Sequence, residues 1–320
     1  MRKGSLEFWP HRRAKRQMPR VRSWPRIAEP GFGGFIAFKV GMTHVTMIDD
    51  TDSPSKGTEV SHAVTVIEFP KVYMYGVRAY KKGYVYTEVA SEAYDAELAK
   101  KVGINNTKNT DLNALKGKAA DYEKVDGLFF LNAEGLGFGN KRVMRFEMPI
   151  TGKDNAERFE FAAKWLGKEL KASDVLSTGD YIDITAITKG RGWAGVIKRF
   201  GVARQYRKAT GKVRHVGVLG PWHPAKVMFS VPHSGHMGYN YRTEINKRIL
   251  KMGTATETDA INVSGGYPRF GKVNSDYMIL EGSIPGPSKR LLRIRKALRN
   301  KRQKKEPQVT YVSLTSKQGA

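Results

Sequence analysis

The positive charge of this chain is gathered into three segments, and no other feature of the sequence narrows its fold and partners as far. Residues 1–30 carry nine Lys and Arg against Glu7 and Glu29, a net of +7. Residues 189–250 carry thirteen against Glu244 alone, a net of +12, and residues 286–320 carry eleven against Glu306, a net of +10. The whole chain of 320 residues stands at +26, so everything outside those segments sums to −3. An ordinary soluble surface intersperses the two signs. A slightly acidic body with three concentrated basic segments calls for a polyanion that neutralises them, either nucleic acid or an anionic membrane surface.

The middle segment decides between those two. Its cations are interleaved with Trp193, Phe200, Tyr206, Trp222, Phe229, Tyr239 and Tyr241, and with His215, His223, His233 and His236. Cations beside planar rings suit RNA, whose phosphates take the charge and whose unstacked bases or sugar faces take the rings. The plainer reading of the same aromatics is that they form the core of a small domain. No run approaches the ~18 apolar residues that a spanning helix needs, and the N-terminus lacks the apolar stretch of a secretory signal, so a soluble, non-exported chain without a membrane partner is expected. Pro10, Pro19, Pro25 and Pro30 would break the amphipathic helix of a transit peptide. The sequence has no cysteine, which removes disulfides, thiolate zinc sites and cysteine nucleophiles together.

The body reads as mostly β. From Gly31 to Asp50, β-formers and glycines end in turn residues, which predicts two strands with a tight connection. Residues 60–69, 72–80 and 84–89 are further strands, and 31–90 is expected to be the first part of a β-barrel. Residues 91–176 are expected to be an inserted α/β lobe. Asp154 and Glu157 are spaced as a capping box ahead of Phe159, Ala163, Leu166 and Leu170, which predicts one amphipathic helix. Weaker helices are expected at 93–102 and 111–122, and a glycine-rich loop at 127–139. Residues 177–188 hold a barrel strand that alternates apolar and polar for half its length, and 251–295 complete the barrel with strands at 276–281 and 291–294. The flanking segments 1–30, 189–250 and 296–320 are then an N-terminal extension, an arm that leaves the sheet, and a C-terminal tail. Long excursions from a compact sheet are usually functional.

The motifs are few. Gly190, Gly192 and Gly195 follow a strand at the spacing of a dinucleotide fingerprint, but no Asp or Glu lies between Trp193 and Glu244 to hold a ribose. The glycines are better read as letting backbone approach phosphate, flanked by Lys189, Arg191, Lys198 and Arg199. Four histidines within 22 residues raise the question of zinc, which the surrounding cations disfavour. The acidic run Asp49, Asp50 and Asp52 is flanked by Ser53, Pro54 and Gly57 and predicts a solvated hairpin turn. Glu244 is expected to pair with Arg242 or Lys247. No nucleophile with a base and no carboxylate pair stands out, so neither an enzyme nor a bound cofactor is expected, nor a small-molecule substrate. Arg12, Arg13, Lys15, Arg16, Arg20 and Arg22 are the RNA contacts expected of the first segment. In the arm, Arg204, Arg207, Lys212, Arg214 and His215 join the cations around the glycines and Trp193.

Gly217-Val-Leu-Gly-Pro-Trp-His-Pro-Ala-Lys-Val227 and Gly238-Tyr-Asn-Tyr-Arg-Thr-Glu-Ile-Asn-Lys247 closely resemble the universal large-subunit ribosomal protein three family, in its archaeal and eukaryotic branch. Supporting stretches are Gly4–Pro10 with the basic run after it, Lys39-Val-Gly-Met-Thr43, Thr188-Lys-Gly-Arg-Gly192 and Ile284-Pro-Gly-Pro287, so the likeness runs from end to end. The resemblance implies a closed six-stranded barrel with an α/β lobe, long basic extensions running through large-subunit ribosomal RNA, a place in cytoplasmic ribosomes beside other large-subunit proteins, and a part in early subunit assembly. It also implies that the arm reaches toward the peptidyl transferase centre, with Trp222 and His223 at its tip and His236, Arg242, Asn246, Lys247 and Arg248 on RNA. Eukaryotic members carry His-Arg-Gly before the tip where this chain reads Thr210-Gly-Lys212, so no role resting on that histidine is carried over. The chain is also shorter at its C-terminus than eukaryotic members, which points to the archaeal branch. A nucleic-acid-modifying enzyme using 189–250 as a clamp and a DNA-packaging protein are the competing readings.

Overall fold

The computed structural model describes residues 8–91, 103, 115–140, 143–300 and 302–318; the helix expected at 93–102 and the first four residues of that expected at 111–122 lie outside them, and the described remainder of the latter is broken, with a 3-10 turn at Ala119–Asp121. The chain is mostly β. In order, the strands are β1 (Gly31–Phe32), β2 (Gly34–Ile48), β3 (Glu59–Glu68), β4 (Lys71–Lys81), β5 (Tyr84–Ala90), β6 (Lys124–Asn132), β7 (Met144–Thr151) and β8 (Glu169–Leu170). The second half adds β9 (Tyr181–Ile187), β10 (Gly190–Ala194), β11 (Gly235–Gly238), β12 (Tyr241–Gly253), β13 (Tyr277–Glu281), β14 (Leu291–Lys296) and β15 (Val309–Val312). Helix α1 spans Asn155–Trp165 and α2 spans Val196–Phe200.

These strands form two large curled sheets. One runs β14-β9-β12-β13-β3-β2-β15, and β14 also bonds β2, Leu291 against Phe38 through Arg295 against Gly34. The other runs β1-β7-β6-β4-β5, with β8 on β4. Strands β4 and β5, expected in the barrel with β2 and β3, therefore belong to the other sheet, since β4 pairs with β6 across the chain rather than with β3 beside it, and β5 pairs with β4 at the edge. The supposed glycine loop at 127–139 begins with β6, which lies between β4 and β7, and Gly127 is there because a Cβ would sit 2.6 Å from the Phe129 ring. Similarly, 31–50 is dominated by one long strand, not two. Its register shifts between Lys39 and Gly41, a bulge that bends β2 without ending it, and a Cβ on Gly41 would stand 2.6 Å from the Tyr267 ring.

A shared core joins the sheets. Phe35, Phe38, Ile67, Ile184 and Ile294 of the first lie in one buried cluster with Met74, Phe129 and Leu131 of the second and Phe159 of α1. Each such side chain contributes about 1.5–3 kcal/mol by leaving water. Phe32 sets its edge against Phe129, Phe161 and Trp165 at 5.4, 4.9 and 5.8 Å, fixing α1 on the sheet. The helix begins where the capping pattern put it, but the Asp154 side chain makes no cap bond, and Glu157 accepts from the amide of Lys153 at 2.9 Å. Phe159 and Ala162 face inward while Ala163 is exposed. The helix ends at Trp165, so Leu170 is buried from β8 instead.

The two outer basic segments are laid against this body. The amide of Ala14 donates to the Tyr239 carbonyl at 2.8 Å, Asn240 Nδ2 donates to the Arg12 carbonyl at 2.8 Å, and Ala14 and Val21 are buried. At the other end β15 pairs with β2, Thr43 Oγ1 donates to the Ser313 carbonyl at 2.9 Å, and Gln318 Nε2 reaches the carbonyls of Gly265 and Gly266. The C-terminal segment contributes a strand, which its run of cations concealed.

Candidate nucleic-acid interface

Strand β9 leaves the large sheet at Ile187 and passes into β10, which pairs with β11 antiparallel, Trp193 opposite His236. Between them lies α2, closed by Gly201 at φ +68°, the left-handed cap that glycine adopts freely. Its last residue, Phe200, is buried against Trp9 at 5.1 Å and His11 at 5.8 Å, while Phe229 meets Trp9 at 6.5 Å. Arg199 lies 5.0 Å over the Phe200 ring and donates to the carbonyls of His233 and His236 at 2.9 and 3.1 Å. The N-terminal segment thus seals the root of the excursion, and burial together with Arg199 and Arg242 holds the His11 imidazole below its ordinary value.

Beyond Gly201 the character changes. Residues 201–234 contain no strand or helix, and every residue from Pro221 to Phe229 is exposed. Trp222 is 87% exposed, Trp193 78% and Tyr206 75%, which removes these rings from any small-domain core and leaves Phe200 as the aromatic that is packed. Arg204, Arg207, Lys212 and Arg214 are exposed, as are His215 and His223, and His215 Nδ1 accepts from the Gly217 amide at 3.0 Å. Arg12, Arg13, Lys15, Arg16, Arg20 and Arg22 are exposed along the first segment, and Lys189, Arg191 and Lys198 at the root. None of these cations is in an ion pair among the described residues. Solvent-exposed cations outside ion pairs, beside exposed rings, are what phosphate and base contacts require.

The last part of the predicted set is differently placed. From Tyr241 onward the chain is β12, paired with β9 and β13, so residues 241–250 are sheet rather than excursion. Arg248, expected on RNA, is 4% exposed and committed inside the protein: Nη1 donates to Asp50 Oδ1 at 2.8 Å, Nη2 to the other carboxylate oxygen and to the Lys305 carbonyl at 3.0 Å. Asp50, expected in a solvated turn, is its partner. Asp49 turns the same hairpin by accepting from Thr51, Ser53 and Ser55, hydrogen bonds that hold its carboxyl well below the usual range. Asn246 occupies a bulge in β12 at φ +54°, its amide donating to Asp183 at 3.0 Å, while Lys247 beside it is half-buried. Arg242 is oriented by the Phe8 ring 4.7 Å away and by the Tyr241 carbonyl, whereas Glu244 makes no ion pair with it or with Lys247 among the described residues. His236 has its Nε2 2.6 Å from the Gly238 carbonyl. The described residues contain no group of three or more His, Asp or Glu able to hold a metal ion. None of their helices is long and apolar enough to cross a membrane.

One cation that charge counting passed over is Lys39. Buried in β2, it donates to the carbonyls of Ile284 at 2.6 Å and Gly286 at 3.2 Å, and burial together with Lys189 pushes its pKa down to about 8. An isolated lysine in a β-strand gives no sequence signal of this.

The family model described as Ribosomal protein L3 matches residues 1–137 and 135–319. The chain belongs to the ribosomal protein L3 family. Similar curated proteins are named Large ribosomal subunit protein uL3. One, from Methanobrevibacter smithii, is 42% identical over 99% of this chain and 98% of its own length. Another, from Methanothermobacter thermautotrophicus, is 40% identical over the same shares, and one from Methanopyrus kandleri is 39% identical over 99% of this chain and 91% of its own length. Trp222 and the exposed cations around it therefore sit in an L3-family chain matched through nearly its whole length.

Proposed function

We propose that this chain is a structural constituent of the large ribosomal subunit and works by binding and bracing large-subunit ribosomal RNA. It is not an enzyme: the RNA it braces carries the chemistry. The observation that supports this most directly is the segment 189–234, where unpaired cations stand among exposed Trp193, Tyr206, Trp222 and Phe229 in a chain whose relatives are named as large-subunit proteins. Arg12, Arg13, Lys15, Arg16, Arg20 and Arg22 line a second face of the same RNA interface, and Arg248 drops out of it.

The ring of pairings β14-β9-β12-β13-β3-β2-β14 supports reading the first sheet as a closed six-stranded barrel, with β4–β8 and α1 as the α/β lobe. Within the subunit, residues 201–234 extend into RNA toward the peptidyl transferase centre, with Trp222 and His223 at the tip, and the chain assists early assembly beside neighbouring large-subunit proteins in cytoplasmic ribosomes. The test is binding of the full chain to large-subunit ribosomal RNA fragments and to duplex DNA of matched length across about 50–200 mM salt. RNA-selective binding that falls on the order of a thousandfold over that range is expected. Equal affinity for both polymers would overturn the reading in favour of DNA packaging.

A further inference from the structure

At the root of the excursion lies a cleft of about 490 Å³ where five cations converge from four separate elements. Lys39 comes from β2, Lys189 and Arg191 from the β9–β10 passage, Arg199 from α2 and Arg242 from β12, with His11 of the N-terminal segment closing one side. No carboxylate lines the cleft, and none of the five is in an ion pair among the described residues. Cations held this close repel one another, and a fold keeps them there at a cost unless an anion occupies the space between them.

Part of the cluster is fixed in place, which separates it from a mobile basic surface. Lys39 spends two of its three donors on the carbonyls of Ile284 and Gly286, and Arg199 is held by two carbonyls and the Phe200 ring. Arg242 is held by the Tyr241 carbonyl and Phe8. Lys189 and Arg191 are exposed at the mouth. The local field registers in the neighbours: Lys189 adds to burial in lowering Lys39, and Arg199 and Arg242 do the same to His11. Preorganised donors around a shared cleft are the arrangement that binds a tetrahedral oxyanion strongly.

We propose that this cleft is a socket for one phosphate group, supplied either by an RNA phosphodiester or by a free phosphate-class anion. The proposal deepens the RNA-binding reading and rests on it for the first of those sources. Filling the socket ties the N-terminal segment, β2 and the root of the excursion together through one ligand.

The experiment is calorimetric titration of the full chain with inorganic pyrophosphate, and separately with a short single-stranded RNA, at ionic strength matched with chloride. Two double variants are compared, Lys189→Gln with Arg191→Gln in the cleft and Lys164→Gln with Lys168→Gln at the end of α1, outside the proposed RNA interface. They remove equal charge from exposed side chains, so both are expected to fold. Each lost charge-assisted contact weakens binding about tenfold. The cleft pair is therefore expected to lose on the order of a hundredfold where the outer pair loses less than tenfold on the same ligand. Saturable pyrophosphate binding with that contrast assigns the socket to a free anion, and the contrast seen with RNA alone assigns it to a phosphodiester. Equal losses in both pairs with RNA, together with no contrast on pyrophosphate, overturn the socket and leave diffuse charge. Ribosomal RNA fragments against duplex DNA are titrated in parallel: intact RNA selectivity with equal losses sinks the socket alone, whereas absent selectivity in the parent chain sinks the RNA-binding reading.

Discussion

Arg295 and Arg207 are the same residue type in segments of similar charge, and the fold uses them in opposite ways. Arg295 in β14 is 8% exposed, donating through Nε and Nη2 to Asp183 at 3.0 and 2.8 Å and through Nη1 to the Ser23 carbonyl. Its neighbour Arg293 is buried between the Trp24 and Phe146 rings, and burial pushes it down to about 10. Arg207 is exposed and unpaired among the described residues. The C-terminal cations of the sheet hold the protein together, while those of the excursion stay available for a partner. A run of Lys and Arg is therefore two populations with different energetics: desolvated pairs, whose disruption is costly, and solvated charges, whose removal the fold barely registers.

The comparison can be broken at its strongest point first. Arg295→Ala leaves the Asp183 carboxylate, 1% exposed, without its countercharge, and is expected to destabilise the protein by about 3–5 kcal/mol in a denaturant titration. A loss under about 1 kcal/mol would mean that the buried arginines are not structural. Arg248→Ala should cost less, about 2–3 kcal/mol, because Asp50 is partly solvated and hydrates when released. The same pair sets an acid limb. The Arg248 hydrogen bond lowers the Asp50 pKa, so its contribution is complete above the unfolded carboxylate range and is lost as pH falls through the lowered value. Denaturation midpoints followed below pH 5 should show a shallower fall in Arg248→Ala than in the parent.

On the solvated side the expected effects on folding shrink to almost nothing. Trp222→Ala should change unfolding free energy by less than about 0.5 kcal/mol, since the ring is 87% exposed, while impairing the activity of subunits that carry it. A melting temperature several degrees lower would place Trp222 in a core after all. The smallest effect is that of one cation: Arg207→Gln should leave stability unchanged and reduce the salt slope of RNA binding by about one. A slope that does not move in several such variants would remove these side chains from the phosphate contacts.

Much of the candidate interface was legible because its signals are local. Cations without acids, interleaved with aromatics over residues 189–234, describe a segment that does not bury itself, and Trp193, Tyr206 and Trp222 are exposed accordingly. Strands β3, β9, β13 and β14 were legible for the same reason, as short β-branched and apolar runs. What failed was partnership. Nothing in residues 71–81 says that they bond β6 rather than β3, because register is decided by side-chain faces that meet only after the sheets curl. Asp183, read as the polar half of an alternating strand, is buried because Arg295 reaches it from 112 residues away.

The sequence by itself determined that this chain has a β-rich body, that three segments carry its charge, and that the middle one interleaves its cations with aromatic rings; its motifs carried the resemblance to the family. Those are properties of neighbouring residues, written in composition and order. The tertiary structure decided which cations are spent and which are free. Arg248 went to Asp50, Arg293 and Arg295 went under the N-terminal segment, and the C-terminal segment became β15. The physical reason is that a charge costs most where water is excluded. Exclusion of water is a property of packed surfaces, and no stretch of sequence holds it alone.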